Sequence, residues 1–333
     1  MPYEWQFKDY PKPNGHSVFG TFVGGGGSTM GYKLAGFNHL GGVEIDVKMG
    51  SIYQANHNPE HFFLQDIRVF NTRDDLPPEL YSLDILDGSP PCSSFSMAGN
   101  REKDWGKKKQ FREGQAKQRL DDLVFEYIKT IKKLKPKVAI LENVTGLVKG
   151  NAKIYAKEIG KQFSALGYSV QVFNLNGATM GLPQKRQRIF FIGLRNDIKK
   201  PKLKLSFNFK PVPFGEVVRE QSKGLRKVRP AIYEMLIQAK PHHKSLSDIN
   251  VHGHYFTYAI LDEKRVCPTI IAGGEYYVRK EMRFISKDEL CKIGSFPKDF
   301  NFRNMCPVYV VGMSVPPLMT MRIAEEITKQ WLN

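Results

Sequence analysis

The stretch Leu83 to Asn100, Leu-Asp-Ile-Leu-Asp-Gly-Ser-Pro-Pro-Cys-Ser-Ser-Phe-Ser-Met-Ala-Gly-Asn, holds the side chain best suited to covalent chemistry, Cys92. A short apolar strand signal, Leu83 to Leu86, runs into Asp87 and Gly88 and then into Pro90 and Pro91. The fixed φ and missing N–H of proline exclude both a helix start and a central strand. The chain must leave its sheet there, so Cys92 follows a stiff turn past the carboxyl end of a strand, the edge at which open α/β sheets build their sites. A lone Cys is often a small buried hydrophobe with no chemistry. The two prolines before it and the Ser-Ser-Phe-Ser run after it favour instead a rigid, exposed thiol, a nucleophile. A zinc site of the nucleobase-deaminase kind needs a second Cys three positions on and a His-x-Glu upstream. Phe95 stands at the first position and no His-x-Glu occurs, which excludes that site.

Two further groups could act beside a thiol. Lys137 to Leu141 reads as a fully apolar strand that delivers Glu142, Asn143 and Val144 to the same sheet edge. A carboxyl set directly after a buried strand is costly to leave unpaired, and in such a place it can donate a proton or a hydrogen bond near neutral pH. An Asx-like turn closing the strand is the plainer alternative. In Gly181-Leu-Pro-Gln-Lys-Arg-Gln-Arg188 the alternate positions of Arg186 and Arg188 predict two guanidinium forks on one strand face. That pair suits a phosphate or a base carbonyl, although a solvated strand edge also tolerates it.

These groups must be positioned by alternating elements. The apolar run Ser17 to Val23 meets Gly24, Gly25, Gly26 and Gly27, and Ser28 to Ala35 opens as a helix, so strand, glycine turn and helix N–H groups face one ligand position. The next strand, Gly42 to Ile45, carries Glu44 roughly twenty residues past the glycine turn, where nucleoside-binding folds set an acid against ribose hydroxyls. A third strand signal ends near Asp66 and Ile67, again with an acid at its carboxyl end; a solvated strand terminus explains either acid as well. Leu120 to Leu134 and Lys153 to Leu166 predict helices, and Tyr168 to Leu175 and Ile189 to Leu194 predict strands. The first fifteen residues lack periodicity and read as a loosely docked arm. Between Gly99 and Gln118, Arg101, Lys103, Lys107, Lys108, Lys109 and Arg112 surround Trp105 and Phe111. Next to Cys92, such a segment reads as a basic flap over a phosphate backbone rather than as a solvated loop.

With 333 residues, of which 41% are hydrophobic, the chain can build one large domain and a smaller one. A formal net charge of +17 favours a polyanionic partner. The four cysteines are widely spaced with no Cys-x-x-Cys, which argues against a disulfide framework or a structural zinc site. No apolar run approaches membrane-spanning length and the amino terminus lacks a signal-peptide profile, so the expected compartment is the cytoplasm.

Taken in order, Phe22-Val-Gly-Gly-Gly-Gly27, Glu44, Asp66, Pro91-Cys92, Glu142-Asn-Val144 and Gln184-Lys-Arg-Gln-Arg188 resemble the motif series of the DNA (cytosine-5) methyltransferases. Arg283 to Pro297 and Gly312-Met-Ser-Val-Pro316 resemble that family's last two motifs, so the likeness covers nearly the whole chain. The resemblance implies a Rossmann-like α/β large domain with a mixed seven-stranded sheet, residues 1–199 completed by 312–333, and a small target-recognition domain over residues 200–311. It implies S-adenosylmethionine as methyl donor and S-adenosylhomocysteine as product. Phe22, Gly24, Gly26 and Gly27 would line the donor, Glu44 would meet its ribose and Asp66 would lie near its adenine. Ile45, Ile67, Pro90, Leu123, Ser314 and Val315 stand at further cofactor positions.

The resemblance also implies base flipping, attack of Cys92 on C6 of cytosine, Glu142 at N3, and Arg188 with Arg186 at the base carbonyl and its phosphate, with no metal. Double-stranded DNA is the implied partner, contacted by Thr269 and by the basic segment at Arg101, Lys107, Lys108, Lys109 and Arg112. A monomer is expected, either a modification enzyme acting beside a separate restriction endonuclease or an orphan modification enzyme without one. Met313 stands where the family commonly has Asn, Ser93 where it has Gln, Ala98 where it has Ser, and Ile45 where an aromatic often stacks. The rival readings are a tRNA cytosine methyltransferase of the same fold and an inactive DNA-binding regulator.

Overall fold

Short apolar runs broken by glycine or by a capping acid make most of the first two hundred residues alternate between strand and helix. The computed structural model describes residues 3–91, 122–148, 152–218, 227–253 and 255–333. Its elements run β1 (Ser17–Thr21), α1 (Gly27–Leu34), β2 (Asn38–Glu44), α2 (Val47–His57), β3 (His61–Leu64), α3 (Ile67–Thr72), β4 (Ile85–Gly88), α4 (Leu123–Leu134) and β5 (Val138–Val144). They continue with α5 (Ala152–Ala165), β6 (Tyr168–Asn176), β7 (Gln184–Lys185) and β8 (Gln187–Arg195). Asp46 starts α2 by accepting from the N–H groups of Lys48 (2.8 Å) and Met49 (3.1 Å), and Asp66 starts α3 by accepting from Arg68 N–H at 2.8 Å. The third strand therefore closes at Leu64, and Asp66 and Ile67 belong to a helix start instead of the strand end that the sequence suggests.

Seven strands form one sheet in the order β3-β2-β1-β4-β5-β8-β6. The pairs from β3 through β5 are parallel, and β8 returns antiparallel to β5 from Val138↔Leu194 to Val144↔Arg188. This is the mixed seven-stranded α/β sheet that the sequence predicts. Neighbours β1 and β4 leave in opposite lateral directions, so their carboxyl ends form the crevice where such sheets bind ligands. Phe19, Leu86, Ile131, Leu141, Phe163 and Phe191 fill the core beneath it.

The chain divides into two compact units. The sheet unit comprises Pro11–Leu175, Gln187–Ser206 and Met321–Asn333. The other comprises Met1–Tyr10, Asn176–Arg186 and Phe207–Thr320, so it draws on two segments outside 200–311 and its main segment starts and ends later. It contains α6 (Pro230–Gln238), β9 (Tyr258–Leu261), β10 (Cys267–Pro268), β11 (Glu275–Val278), β12 (Arg283–Phe284), α7 (Lys287–Gly294), α8 (Pro307–Met313) and the start of α9 (Pro317–Ile327). Its three-stranded sheet runs β12-β11-β9, and Ile232, Met235 and Leu236 of α6 pack with Leu246, Ile260 and Tyr277.

The amino-terminal arm is not loosely docked. Trp5 is 8% exposed, its Nε1 donates to the Ser295 carbonyl at 2.9 Å, and its own carbonyl accepts from Lys298 N–H at 2.9 Å. Glu4 pairs with Lys292 at 2.5 Å. Aromatic anchoring of this kind leaves no periodic signal in ten residues.

Candidate active site

The turn after β1 is held by its own backbone. Phe22 lies in the left-handed region at φ 56°, a strained setting for a bulky residue. Gly26 follows at φ 87°, and a Cβ there would stand 2.0 Å from His57 Nε2. Only glycine fits, and α1 begins with no side-chain cap on its first N–H groups. Burial drives the His57 imidazole down to about 3, so the ring beneath the turn is neutral.

Glu44 ties this turn to β2. One carboxylate oxygen accepts from Gly24 N–H at 2.8 Å, the other from the N–H groups of Ile45 (2.9 Å) and Asp46 (2.8 Å). Burial raises its proton affinity while those three amides oppose the shift. A carboxylate offers about four acceptor positions, so one is left for a ribose hydroxyl. Phe22, Ile67 and Leu123 pack into one small apolar cluster, and Ile45 is 36% exposed beyond Glu44. The residues present therefore fit a nucleoside-bearing donor: an uncapped glycine turn, an apolar wall and an acid with spare acceptor capacity. Asp66 is engaged with Arg68, through its N–H and through a guanidinium nitrogen at 3.1 Å.

On the other side of the crevice, β4 runs into the proline turn. Gly88 is required because a Cβ would meet the Tyr127 ring at 2.5 Å and Thr21 Oγ1 at 2.8 Å. Pro90 is buried, and its carbonyl accepts from Asn143 Nδ2 at 3.2 Å. Asn143, which the sequence shows only as a neighbour of Glu142, thus anchors the turn leading to Cys92. Cys92 and the expected DNA contacts Arg101, Lys107, Lys108, Lys109 and Arg112 lie outside the described residues, as do Ser93 and Ala98. Burial pushes the Cys291 thiol up to about 12 and that of Cys267 also well up, which makes both poor nucleophiles.

Glu142 sits on β5 with its Oε1 2.9 Å from Arg188 Nε. Register explains the contact: Val144 is directly opposite Arg188, so Glu142 is its diagonal neighbour on one face. Burial lowers the Arg188 guanidinium and Glu142 counteracts it.

Arg186 corrects the expected pair of side-by-side forks. It lies between β7 and β8, not within one strand, and it is 2% exposed. Its guanidinium donates to the carbonyls of Ile270 (2.9 Å), Gly312 (3.1 Å) and Ser314 (2.7 Å). Gln184 accepts from Ile270 N–H and donates to the Ile293 carbonyl, and Thr269 Oγ1 donates to the Lys185 carbonyl. This motif therefore holds together the unit containing Thr269, while Arg188 alone belongs with Glu142. Ser314 and Val315 are buried in that same unit. Ser314 Oγ donates back to the Val310 carbonyl at 2.8 Å, so it closes α8 and does not cap α9.

A mixed seven-stranded sheet with β8 antiparallel to β5, a glycine turn at its switch point and an acid ending the second strand is the arrangement of a Rossmann-like methyltransferase fold. The model of the family described as C-5 cytosine-specific DNA methylase matches residues 17–329, and the chain belongs to that family. It is 27% identical to the Type II methyltransferase M.NgoPII of Neisseria gonorrhoeae, over 95% of this chain and 96% of that protein. It is 29% identical to the Type II methyltransferase M1.HphI of Haemophilus parahaemolyticus, over 94% and 86% respectively. The solved structure of a prophage-encoded DNA modification methyltransferase from E. coli superposes with a TM-score of 0.68 at 19% identity, covering 95% of this chain and 99% of that one. The protein is a DNA cytosine-5 methyltransferase.

Proposed function

We propose that this enzyme methylates one cytosine within a specific duplex sequence, with Cys92 as nucleophile, Glu142 working at N3 and Arg188 holding the base carbonyl. C5 of cytosine is a weak nucleophile inside a base stack. The enzyme must evert the base at about a few kcal/mol. Addition of the Cys92 thiolate to C6 pushes electron density onto C5, and Glu142 steadies the ring by hydrogen bonding to N3 as negative charge develops there. S-adenosylmethionine, when bound, supplies an electrophilic methyl group. Loss of the C5 proton and departure of the thiolate restore the aromatic ring and free Cys92.

Phe22, Gly24, Gly26, Gly27, Glu44, Ile45, Ile67, Pro90 and Leu123 would hold the donor, and the family's motifs add Ser314 and Val315 to the proposed set. Asp66 contributes less, because its carboxylate is committed to Arg68. Thr269 and the basic segment at Arg101, Lys107, Lys108, Lys109 and Arg112 would contact DNA, and the net charge of +17 supports that partner.

The Glu142–Arg188 ion pair at 2.9 Å, on the strand next to the proline turn, is the observation that carries this reading. It pre-sets a carboxyl and a guanidinium at neighbouring positions, as recognition of adjacent ring nitrogen and carbonyl requires. The test uses a duplex oligonucleotide carrying 5-fluorocytosine, which blocks loss of the C5 substituent. A joined species at Cys92 in the presence of donor, absent in Cys92→Ser, is expected; bound duplex without an adduct overturns the assignment.

The Type II names of the relatives support a place in restriction and modification, with a monomeric enzyme protecting cytoplasmic DNA from a separate endonuclease. No described helix is long and apolar enough to cross a membrane. Bisulfite sequencing of host DNA with and without the gene tests this role and reads out the target sequence.

A further inference from the structure

The ring of His57 lies beneath the glycine turn and has no part in the reaction as set out above. It ends α2 and is 5% exposed. Its Nε2 stands 3.4 Å from the Gly25 carbonyl. A carbonyl only accepts, so in the neutral ring it is Nε2 that carries the hydrogen. The same edge of the ring faces Gly26 and fills the space that a side chain there would need. Tyr53, one turn earlier on α2 and fully buried, sets its ring 5.0 Å from that of His57. The imidazole is thus packed between Tyr53 and the turn.

The turn is four successive glycines, Gly24 to Gly27, a sequence that by itself specifies no single conformation. Hydrogen bonds from several directions shape it. Gly24 N–H donates to Glu44, Gly26 N–H donates to the Val23 carbonyl at 2.8 Å, and the Gly25 carbonyl accepts from His57. The last two grip opposite ends of one peptide unit, Gly25–Gly26, and a planar trans unit held at both its oxygen and its hydrogen resists rotation. Met30 N–H then opens the α1 ladder on the Gly26 carbonyl at 2.9 Å, so the orientation of that peptide is passed to the uncapped N–H groups at the helix start. A return bond closes the clasp: Lys33 Nζ, from the last turn of α1, donates to the His57 carbonyl at 3.1 Å. One residue at the end of α2 therefore meets the entrance of α1 through its ring and the last turn of α1 through its carbonyl.

We propose that His57 is a positioning residue for the methyl donor: by holding the Gly25 carbonyl it presets the glycine turn in the conformation that receives the donor, so that binding does not have to order four glycines. The inference rests on the assignment of this turn to the donor. Preorganisation raises affinity by removing an ordering cost. Its effect falls on donor affinity and not on the chemical step, whose Glu142 and Arg188 stand on β5 and β8.

Two variants separate the hydrogen bond from the packing. His57→Met fills the space of the ring without an N–H, and His57→Gln restores a side-chain N–H. In His57→Met the donor KM, and the Kd for S-adenosylhomocysteine by calorimetry, are expected to rise about ten-fold, the worth of one hydrogen bond, with kcat at saturating donor and the duplex Kd unchanged. His57→Gln is expected to recover most of that affinity. Thermal denaturation monitors folding. Lower thermal stability in both variants with donor affinity unchanged overturns the proposal and leaves His57 a core residue. So does a His57→Gln no better than His57→Met, or a parallel loss of kcat, donor binding and duplex binding. Gly26→Ala serves as the separate check: normal S-adenosylhomocysteine binding in that variant removes the turn from the donor site, whereas lost binding there beside normal binding in His57→Met removes this inference alone. Should His57→Met fail to fold, Lys33→Met decides: releasing the end of α2 weakens donor binding by about two- to five-fold, and an unchanged affinity overturns the proposal.

Discussion

Asn143 Nδ2 donates to the Pro90 carbonyl at 3.2 Å, joining the residue beside Glu142 to the proline turn that follows β4. The end of β5 is thus tied to the proline turn after β4, although the two segments are some fifty residues apart in the chain. Asn143 closes a second local bond, its Oδ1 accepting from Val144 N–H at 2.8 Å.

Asn143→Ala should therefore slow chemistry while leaving donor binding intact. Loss of one buried hydrogen bond is worth about 1 kcal/mol, and a carbonyl left unpaired adds about 1–3 kcal/mol. A fall of roughly ten-fold or more in the single-turnover rate is expected, with S-adenosylhomocysteine affinity unchanged by calorimetry. Equal losses in both measurements would assign Asn143 to general folding.

Gly26→Ala is expected to abolish donor binding. The new methyl would meet His57 Nε2 at 2.0 Å, on a backbone at φ 87° where a side chain is disfavoured by about 1–2 kcal/mol. Replacing His57 by Ala in the same chain removes the collision but not the backbone strain, so the double variant should recover part of the affinity. Calorimetric titration with S-adenosylhomocysteine reads both, and a single variant that binds normally contradicts the role of the turn.

The two arginines should separate cleanly by phenotype. Arg186→Ala strips donors from three carbonyls and should destabilise the fold by at least about 3 kcal/mol in denaturant titration. Arg188→Ala should leave most of the stability and collapse turnover, because its partner is Glu142. The opposite pattern would return Arg186 to the base.

Acid should weaken the protein through its buried histidines. His57 is held down to about 3 by burial, and His39 is also well lowered, with burial again the main cause. Unfolded histidine titrates near about 6.5. Below that pH the unfolded chain binds protons that the folded one refuses, so their stabilisation is complete above about 6.5 and declines as pH falls toward about 3. For His57 the loss is roughly 2 kcal/mol between pH 6.5 and 5. Asp87 has the opposite sign, since its raised proton affinity favours the fold at low pH and that contribution fades as pH rises toward about 7. The stability difference between wild type and His57→Gln, followed by urea titration at several pH values, should shrink by that amount across this window; a constant difference contradicts it.

Local patterns carried much of the architecture. The glycine turn, the apolar runs and the prolines named β1, α1, β4 and β5 because each depends on residues adjacent in sequence. Helix α2 left little trace: Val47 at its start is exposed, Gly50 interrupts it, and the stripe Met49, Ile52 and Tyr53 is short and continues into a polar residue, His57. Asp66 looked like a strand terminus because an acid after an apolar run has the same appearance whether it ends a strand or caps a helix.

The candidate groups were legible from residue type and order alone: a thiol after two prolines, a carboxyl after an apolar strand, and arginines two positions apart can be read without coordinates. Their division of labour was not. Alternation treats Arg186 and Arg188 as equals, yet a break between β7 and β8 sends one into three carbonyls of its own unit and leaves the other beside Glu142. The hydrogen bond from Tyr32 to Asp87 was equally hidden, because it arises from the packing of α1 on β4, which brings together groups separated by tens of residues. Covalent sequence specifies what a side chain can do; the packed sheet decides which neighbours compete for it.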